Sequence, residues 1–548
     1  MGPILAVVIA IALYGLAQML EESRSWSAPL PSAWATFVLL LLPYALAHLM
    51  RRRALRGRFA RARRWALLVD HSGWLAYGAA IFVFGWPGVL LDEWNSGGLP
   101  DARLFVVFAP FVLFQTAAIH ASAWAHGGTA RTRRHLFLFQ FRMFIASVLP
   151  LAVFVGASAL VSHVEWLRVQ VEHVGLSGAV FTVGFVAFVL RLFPTLLSWA
   201  WDTAPFPVGP RLEALGVIAA RAQFTPGSIR VWRTGDLMAN ATILGAGARR
   251  RVVLFSDQLL SMLNVRELCA VYAHEIGHAK RGHVGLFLTF SVGWVLIADV
   301  ALQALFKGGE VTLAVAIGAG FVALWVLFFG WISRRAELDA DLFALETSQD
   351  LGALVSALER VCGDQPTRGG WRHFSVRRRI EFLARAASDA EFAQRLRGRL
   401  AIVGRCAVLI CALGIGLEFF GLVRDFPEDR ARASLASGQY ERAAKLAAKL
   451  DADDDRLREL AALGASLGDN SREAVGRALK SAIKEGANLD RALDLARVGS
   501  LRGTKGASRA ASAMSLMLGG DAALALRKVS GMKGPLASVL KERIERGH

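Results

Sequence analysis

The sequence predicts a mainly α polytopic membrane protein of about nine spans, with a small α+β domain inserted between spans and a helical-hairpin domain at the C-terminus. Three observations lead there: an apolar composition, basic residues crowded at the ends of apolar runs, and a change of character after the last run. The chain has 548 residues, a hydrophobic fraction of 54% and a mean hydropathy of +0.42, which is too apolar for a string of ordinary soluble domains. Apolar runs able to cross a hydrocarbon core of roughly 30 Å lie near 4–20, 32–50, 72–91, 104–125, 141–162, 176–199, 285–306, 311–332 and 401–422.

The net charge of +19 does not point to nucleic acid, because the cations sit at the ends of the apolar runs and form no aromatic-interleaved face. "RRRALRGRFARARR" (51–64) and "RTRR" (131–134) read as cytoplasmic loops, and the acidic "LDEWNSGGLPDAR" (91–103) as its opposite. Counting crossings from these anchors places the N-terminus, 200–284 and 333–400 inside, and everything after about 424 outside. The start lacks a basic n-region and is read as an uncleaved first span. Cys269, Cys362, Cys406 and Cys411 form no C-x-x-C pair, so neither a disulfide framework nor a thiolate metal site is expected.

The domains divide as a six-span region at 1–199, a central domain at 200–400 that includes the spans 285–306 and 311–332, a last span at 401–425, and a helical domain at 426–548. Inside the central domain, "SIRVWRTG", "NATILGAG" and "RRVVLFS" are short, β-branched and punctuated by glycine, which predicts a small antiparallel sheet. Asn264 and Glu267 form a capping box for the next helix, which is expected to run on into the seventh span, and Asp257 is the expected cap of the shorter helix before it. In the tail, "ASLASGQYERAAKLA" contains G-x-Y-x-x-A, part of a tetratricopeptide (TPR) signature, so this domain is read as TPR-like.

The capped helix carries "HEIGH". His274 and His278, four apart, project from one helical face and can bind one zinc ion, and Glu275 can reach a water on that ion as general base. A third protein ligand is needed. The pattern H-E-x-x-H-x-x-G-x-x-H would need Gly and His where Arg281 and Val284 stand, so that solution is excluded. His283, five residues past His278, is expected to point away from the metal face and to sit at the membrane surface. The remaining solution takes a carboxylate from "SRRAELDADLFALE" (333–346): Glu337 completes the ligand set, and Asp341, four residues on, accepts the spare N–H of a ligand histidine.

This order of motifs, HEIGH entering a span, a two-span hairpin and then "SRRAELDAD", resembles the membrane zinc metalloproteases that include the HtpX heat-shock proteases and the CaaX prenyl proteases, over roughly residues 210–385. The resemblance implies a zincin-like catalytic domain holding one Zn2+ per chain through His274, His278 and Glu337, with Glu275 catalytic and Asp341 in support. It also implies that Asn240 and Ala241 in "NATILG" hold an extended substrate at a sheet edge. "HFSVRRRIEFL" resembles the family's His-Pro segment with Phe374 in place of proline; His373 would then stabilise the oxyanion and Arg379 would lie by the substrate. The expected activity is hydrolysis of peptide bonds in membrane or membrane-proximal proteins. A prenyl-protein protease and a non-catalytic scaffold or receptor are the alternatives. Expected partners are a polypeptide substrate, the lipid bilayer and a protein partner for the C-terminal domain, with no nucleic acid. The frequent Arg, Ala and Leu suggest a bacterial inner membrane, with the active site cytoplasmic and the tail opposite.

Overall fold

The computed structural model describes residues 3–545 apart from 23–29, 31, 57–58, 87–102, 126–128, 237, 246–250, 308–310, 363–368, 451–454, 468–471, 485–488, 503, 505, 519–521, 531 and 533–534. The expected external loop at 91–103 therefore lies outside the described residues except for Arg103. The chain divides into two compact units, residues 192–422 and the remainder.

Six described helices are long and apolar enough to cross a membrane: Ala33–Leu55, Arg103–Ala125, Thr132–His163, His283–Leu305, Leu313–Ser348 and Glu391–Ala436. A bent pair, Glu165–His173 with Gly175–Val189, adds a seventh if it counts as one span. The expected runs at 4–20 and 72–91 fall on the helix Pro3–Glu22 and at the end of the helix Phe59–Phe82. In this N-terminal part, Tyr77, Phe111, Phe114 and Phe144 are fully enclosed and form an aromatic core between helices.

The tail is a succession of short helices from Tyr440–Ala447 to Pro535–Glu545, in which most sequence neighbours pack on one another. Gly438, at φ +77°, turns the chain into the first of them. The buried Tyr440 ring lies where a Cβ on Gly464 would come within 2.6 Å of it, so glycine is needed at this crossing.

The unit 192–422 holds the motif. Its elements are β1 (Thr203–Pro205), α1 (Pro210–Arg221), β2 (Ser228–Trp232), β3 (Ala241–Leu244), β4 (Val252–Ser256), α2 (Asp257–Met262), α3 (Val265–Lys280), α4 (His283–Lys307), α5 (Val311–Ser348), α6 (Leu351–Cys362), α7 (Val376–Ser388) and α8 (Ala390–Ala436), the last running beyond it. The sheet order is β1-β2-β4-β3. The predicted antiparallel sheet is corrected to a mixed one: β2 and β4 are parallel, while β1 pairs β2 and β3 pairs β4 antiparallel. The chain leaves β2, forms the edge strand β3, and folds back as β4 between the two, which forces β4 parallel to β2. Leu215, Phe255, Leu259, Leu268, Tyr272 and Ile276 are buried between the sheet and α1 to α3, so the motif helix is backed by a dry core.

Candidate metal centre

The capping box forms as read. Asn264 Oδ1 accepts from Glu267 N at 3.0 Å, and Glu267 Oε2 accepts from Asn264 N at 2.9 Å. Glu267 also accepts from Ser356 Oγ at 2.6 Å, which ties the start of α3 to α6. Asp257 is not the cap of α2; Ser256 is, its Oγ accepting from Leu259 N at 3.2 Å. Asp257 instead gathers the backbone N–H groups of Thr234 and Gly235, at 3.1 and 2.7 Å, and the Thr234 hydroxyl.

Helix α3 does not run on into the span, as the capping pattern had suggested. It ends at Arg281, and Gly282, at φ +69°, reverses the backbone before α4 begins at His283. Helix α5 lies against α3 so closely that a Cβ on Gly277 would stand 3.1 Å from Ala340 Cα and 3.1 Å from Phe343 Cβ. That contact sets Glu337 beside the two histidines.

His274 Nε2 and His278 Nε2 are 3.2 Å apart, and Glu337 offers Oε2 to His274 Nε2 at 3.7 Å and Oε1 to His278 Nε2 at 3.5 Å. Ligands about 2.0–2.1 Å from a tetrahedral ion stand roughly 3.3–3.4 Å apart. The three donors thus already have the spacing that an ion between them requires, and two imidazoles with a carboxylate are a fitting set for zinc. They are the one group of three or more metal-binding side chains so arranged among the described residues.

The electrostatics favour the same state. Burial, then the neighbouring His274, pulls His278 down to about 3, which keeps its ring neutral with a free lone pair. Burial opposes the charge of His274 too, but Asp341, whose Oδ1 lies 2.9 Å from Nδ1, more than offsets this and raises it. Glu275 is pushed up to about 7, mainly by burial; His274 works against the rise and Glu337 adds to it.

Asp341 is fully buried and held by Arg379, which donates from Nε at 2.7 Å and from Nη2 at 2.6 Å. The Arg379 side chain is 11% exposed and turned onto Asp341, with Nη1 3.9 Å from Glu337. His373 comes from the loop before α7, half exposed, with Nδ1 3.2 Å from Glu337 Oε2. That loop is pinned to α5: Trp371 Nε1 donates to Val326 O at 2.8 Å, and its ring stacks on Phe329. Asn240 and Ala241 lie at the start of β3, whose outer edge pairs with no strand among the described residues. Ser256 N donates to Asn240 O at 2.9 Å, so the inner edge is occupied.

His283 is not at the membrane surface. It is 3% exposed, with Nδ1 2.9 Å from His278 Nδ1 and Nε2 3.2 Å from Asp339 Oδ2. The expectation assumed one continuous helix through residue 283; the turn at Gly282 removes that premise. Asp339 was not singled out in the sequence, since it shares no face of α5 with Glu337 and Asp341.

A histidine pair and a glutamate with metal-ligand spacing stand on helices that border two membrane-length segments, which defines a candidate metal centre in a membrane protein. Residues 216–398 match peptidase family M48. Curated relatives agree. Protease HtpX homolog 1 of Sulfolobus acidocaldarius is 29% identical over 217 residues, covering 33% of this chain and 67% of the relative. A protease HtpX homolog of Dictyoglomus turgidum is 32% identical over 146 residues, covering 24% of this chain and 47% of the relative. The chain thus spans about half to two thirds of the relatives it matches. The crystal structure of S. mikatae Ste24p superposes with a TM-score of 0.31 at 14% identity, covering 67% of this chain and 98% of that one, too slight a likeness to define the fold.

Proposed function

We propose that this protein is an integral membrane zinc endopeptidase that cleaves membrane or membrane-proximal polypeptides from the cytoplasmic side. The observation that carries the reading is the spacing of His274 Nε2, His278 Nε2 and Glu337 within the reach of one ion. Zinc bound there would supply a water of lowered pKa and polarise the scissile carbonyl. Glu275, next to the ligand histidine, takes the proton of the attacking water and returns it to the leaving amine; a carboxyl poised near neutrality suits both steps. Asp341 fixes His274, and Arg379 fixes Asp341. His373, half exposed beside Glu337, is placed to donate to the oxyanion as it forms. The outer edge of β3, with Asn240 and Ala241, holds the substrate extended by backbone pairing. The tail helices, read as TPR-like, present a surface for a protein partner.

The test is cleavage of casein by the detergent-purified full chain with zinc, with a chelator, and as Glu275→Gln. Zinc-dependent cleavage that the chelator abolishes and the variant loses is the expected result. Cleavage that survives in the variant would overturn the role of Glu275.

A further inference from the structure

His278 presents its two ring nitrogens to different neighbours. Nε2 faces His274 and Glu337, at 3.2 and 3.5 Å, while Nδ1 faces His283 Nδ1 at 2.9 Å. Behind His283, its Nε2 stands 3.2 Å from Asp339 Oδ2. Both partners are more than nine-tenths enclosed, His283 at 3% exposure and Asp339 at 4%. A buried imidazole and a buried carboxylate that do no chemistry themselves are costly to keep unless they are hydrogen-bonded to a purpose.

Only one assignment of protons satisfies this chain with His278 as a ligand. Metal binding needs a bare Nε2, so the His278 proton sits on Nδ1 and is donated to His283 Nδ1. His283 Nδ1 must then accept, which puts the His283 proton on Nε2, where Asp339 accepts it. The carboxylate of Asp339 is stabilised in turn by Arg281 Nε and Arg397 Nε, each 3.7 Å away. The arrangement has a direct counterpart at the other ligand, where Asp341 Oδ1 lies 2.9 Å from His274 Nδ1. One ligand is steadied by a carboxylate in contact and the other by a carboxylate acting through an intervening histidine.

We propose that His283 and Asp339 form a positioning relay that fixes the ring orientation and tautomer of His278 for metal binding. The inference rests on the reading of His274, His278 and Glu337 as a zinc centre. The turn at Gly282 makes the relay: it brings the first residue of the span back against the end of the motif helix, so the entry point of α4 also serves the metal site. Partners of this kind change metal affinity by roughly 10–100-fold when removed.

The measurement is zinc affinity by chelator competition on the detergent-purified full chain, with the visible spectrum of the cobalt-substituted form as a second readout. The variants are His283→Leu, His283→Asn, Asp339→Asn and, as control, His278→Ala. We expect His283→Leu to weaken zinc binding by roughly 10–100-fold and to change the cobalt spectrum. His283→Asn, whose amide oxygen can take the place of Nδ1 as acceptor, recovers most of both. Asp339→Asn falls between wild type and the leucine variant. A structural role alone would not separate leucine from asparagine in this way, and if the leucine variant does not fold, the asparagine pair still reads the relay. Wild-type affinity and spectrum in His283→Leu, with one zinc bound by wild type, overturn the relay. Failure of wild type to bind zinc, or full binding by His278→Ala, instead overturns the metal centre on which it rests.

Discussion

Arg379 shows how much one residue can hold in a site that it does not ligate. Its two hydrogen bonds, at 2.7 and 2.6 Å, are the charge-assisted bidentate kind, and they satisfy an Asp341 with no exposed side-chain surface. Removing one member of such a buried pair leaves the other charge uncompensated, which costs about 3–5 kcal/mol. Arg379→Met is therefore expected to lower stability by about that much, read from denaturant unfolding in detergent, while Arg379→Lys keeps the charge, loses the fork and falls between. A loss under about 1 kcal/mol in the methionine variant would show that the pair is dispensable. Glu275 supplies a second prediction. Its carboxyl is raised from 4.5 to about 7 in the metal-free site, mainly by burial. A group raised in this way contributes stability that is present below 4.5 and is lost as pH rises through about 7, so it makes the metal-free protein less stable at pH 8 than at pH 5. A bound dication favours the carboxylate, so the acid limb of kcat/KM lies at or below about pH 7, with activity rising as Glu275 loses its proton. An acid limb lying well above pH 7 would remove Glu275 from the role of base. At this scale the sequence was most legible: the four-residue spacing paired His274 with His278 and Glu337 with Asp341, and these four side chains lie together. His283 was misread because its contact with His278 depends on the turn at Gly282, which leaves no periodicity in the sequence.

The contact between α3 and α5 sets the metal spacing. Ala336, Ala340 and Ala344 form a small-residue stripe on α5, all of them fully buried, and Gly277 on α3 lies over its middle. A methyl added at Gly277 would meet Ala340 Cα at 3.1 Å and Ala340 O at 3.2 Å, backbone atoms that cannot turn aside. Overpacking of this kind costs about 1–3 kcal/mol. Because the same contact carries Glu337 to the histidines, Gly277→Ala should lower the melting temperature and weaken zinc binding together. Wild-type values for both would mean that the helices are positioned by something else. The stripe was present in the sequence, but no pattern said which helix it faced. Strand β1 was missed for a different reason: three residues ending in proline carry no alternation to detect.

Topology follows from the number of crossings between two points, and the stretch from α7 to the tail offers the simplest case. Among the described residues, helix α8 is the one membrane-length helix between Ser388 and Ser466, and its apolar part, near 401–422, is long enough for one passage. Arginines 395, 397, 399 and 405 crowd its start, so the positive-inside bias predicts a cytoplasmic start and a tail on the opposite side. The nine runs of the sequence and the six to seven spans of the structure differ upstream, where 72–91 overlaps a helix that begins among basic residues and is described only to Phe82. Ser388 and Ser466 are both exposed, so each can be replaced by cysteine, singly, in a chain whose four natural cysteines have been replaced. In spheroplasts of a bacterial host, an impermeant maleimide should label Ser466→Cys directly and Ser388→Cys only after the membrane is permeabilised. Equal labelling of the two before permeabilisation would put the catalytic unit and the tail on one side, and the tail would then have direct access to substrates at the active site.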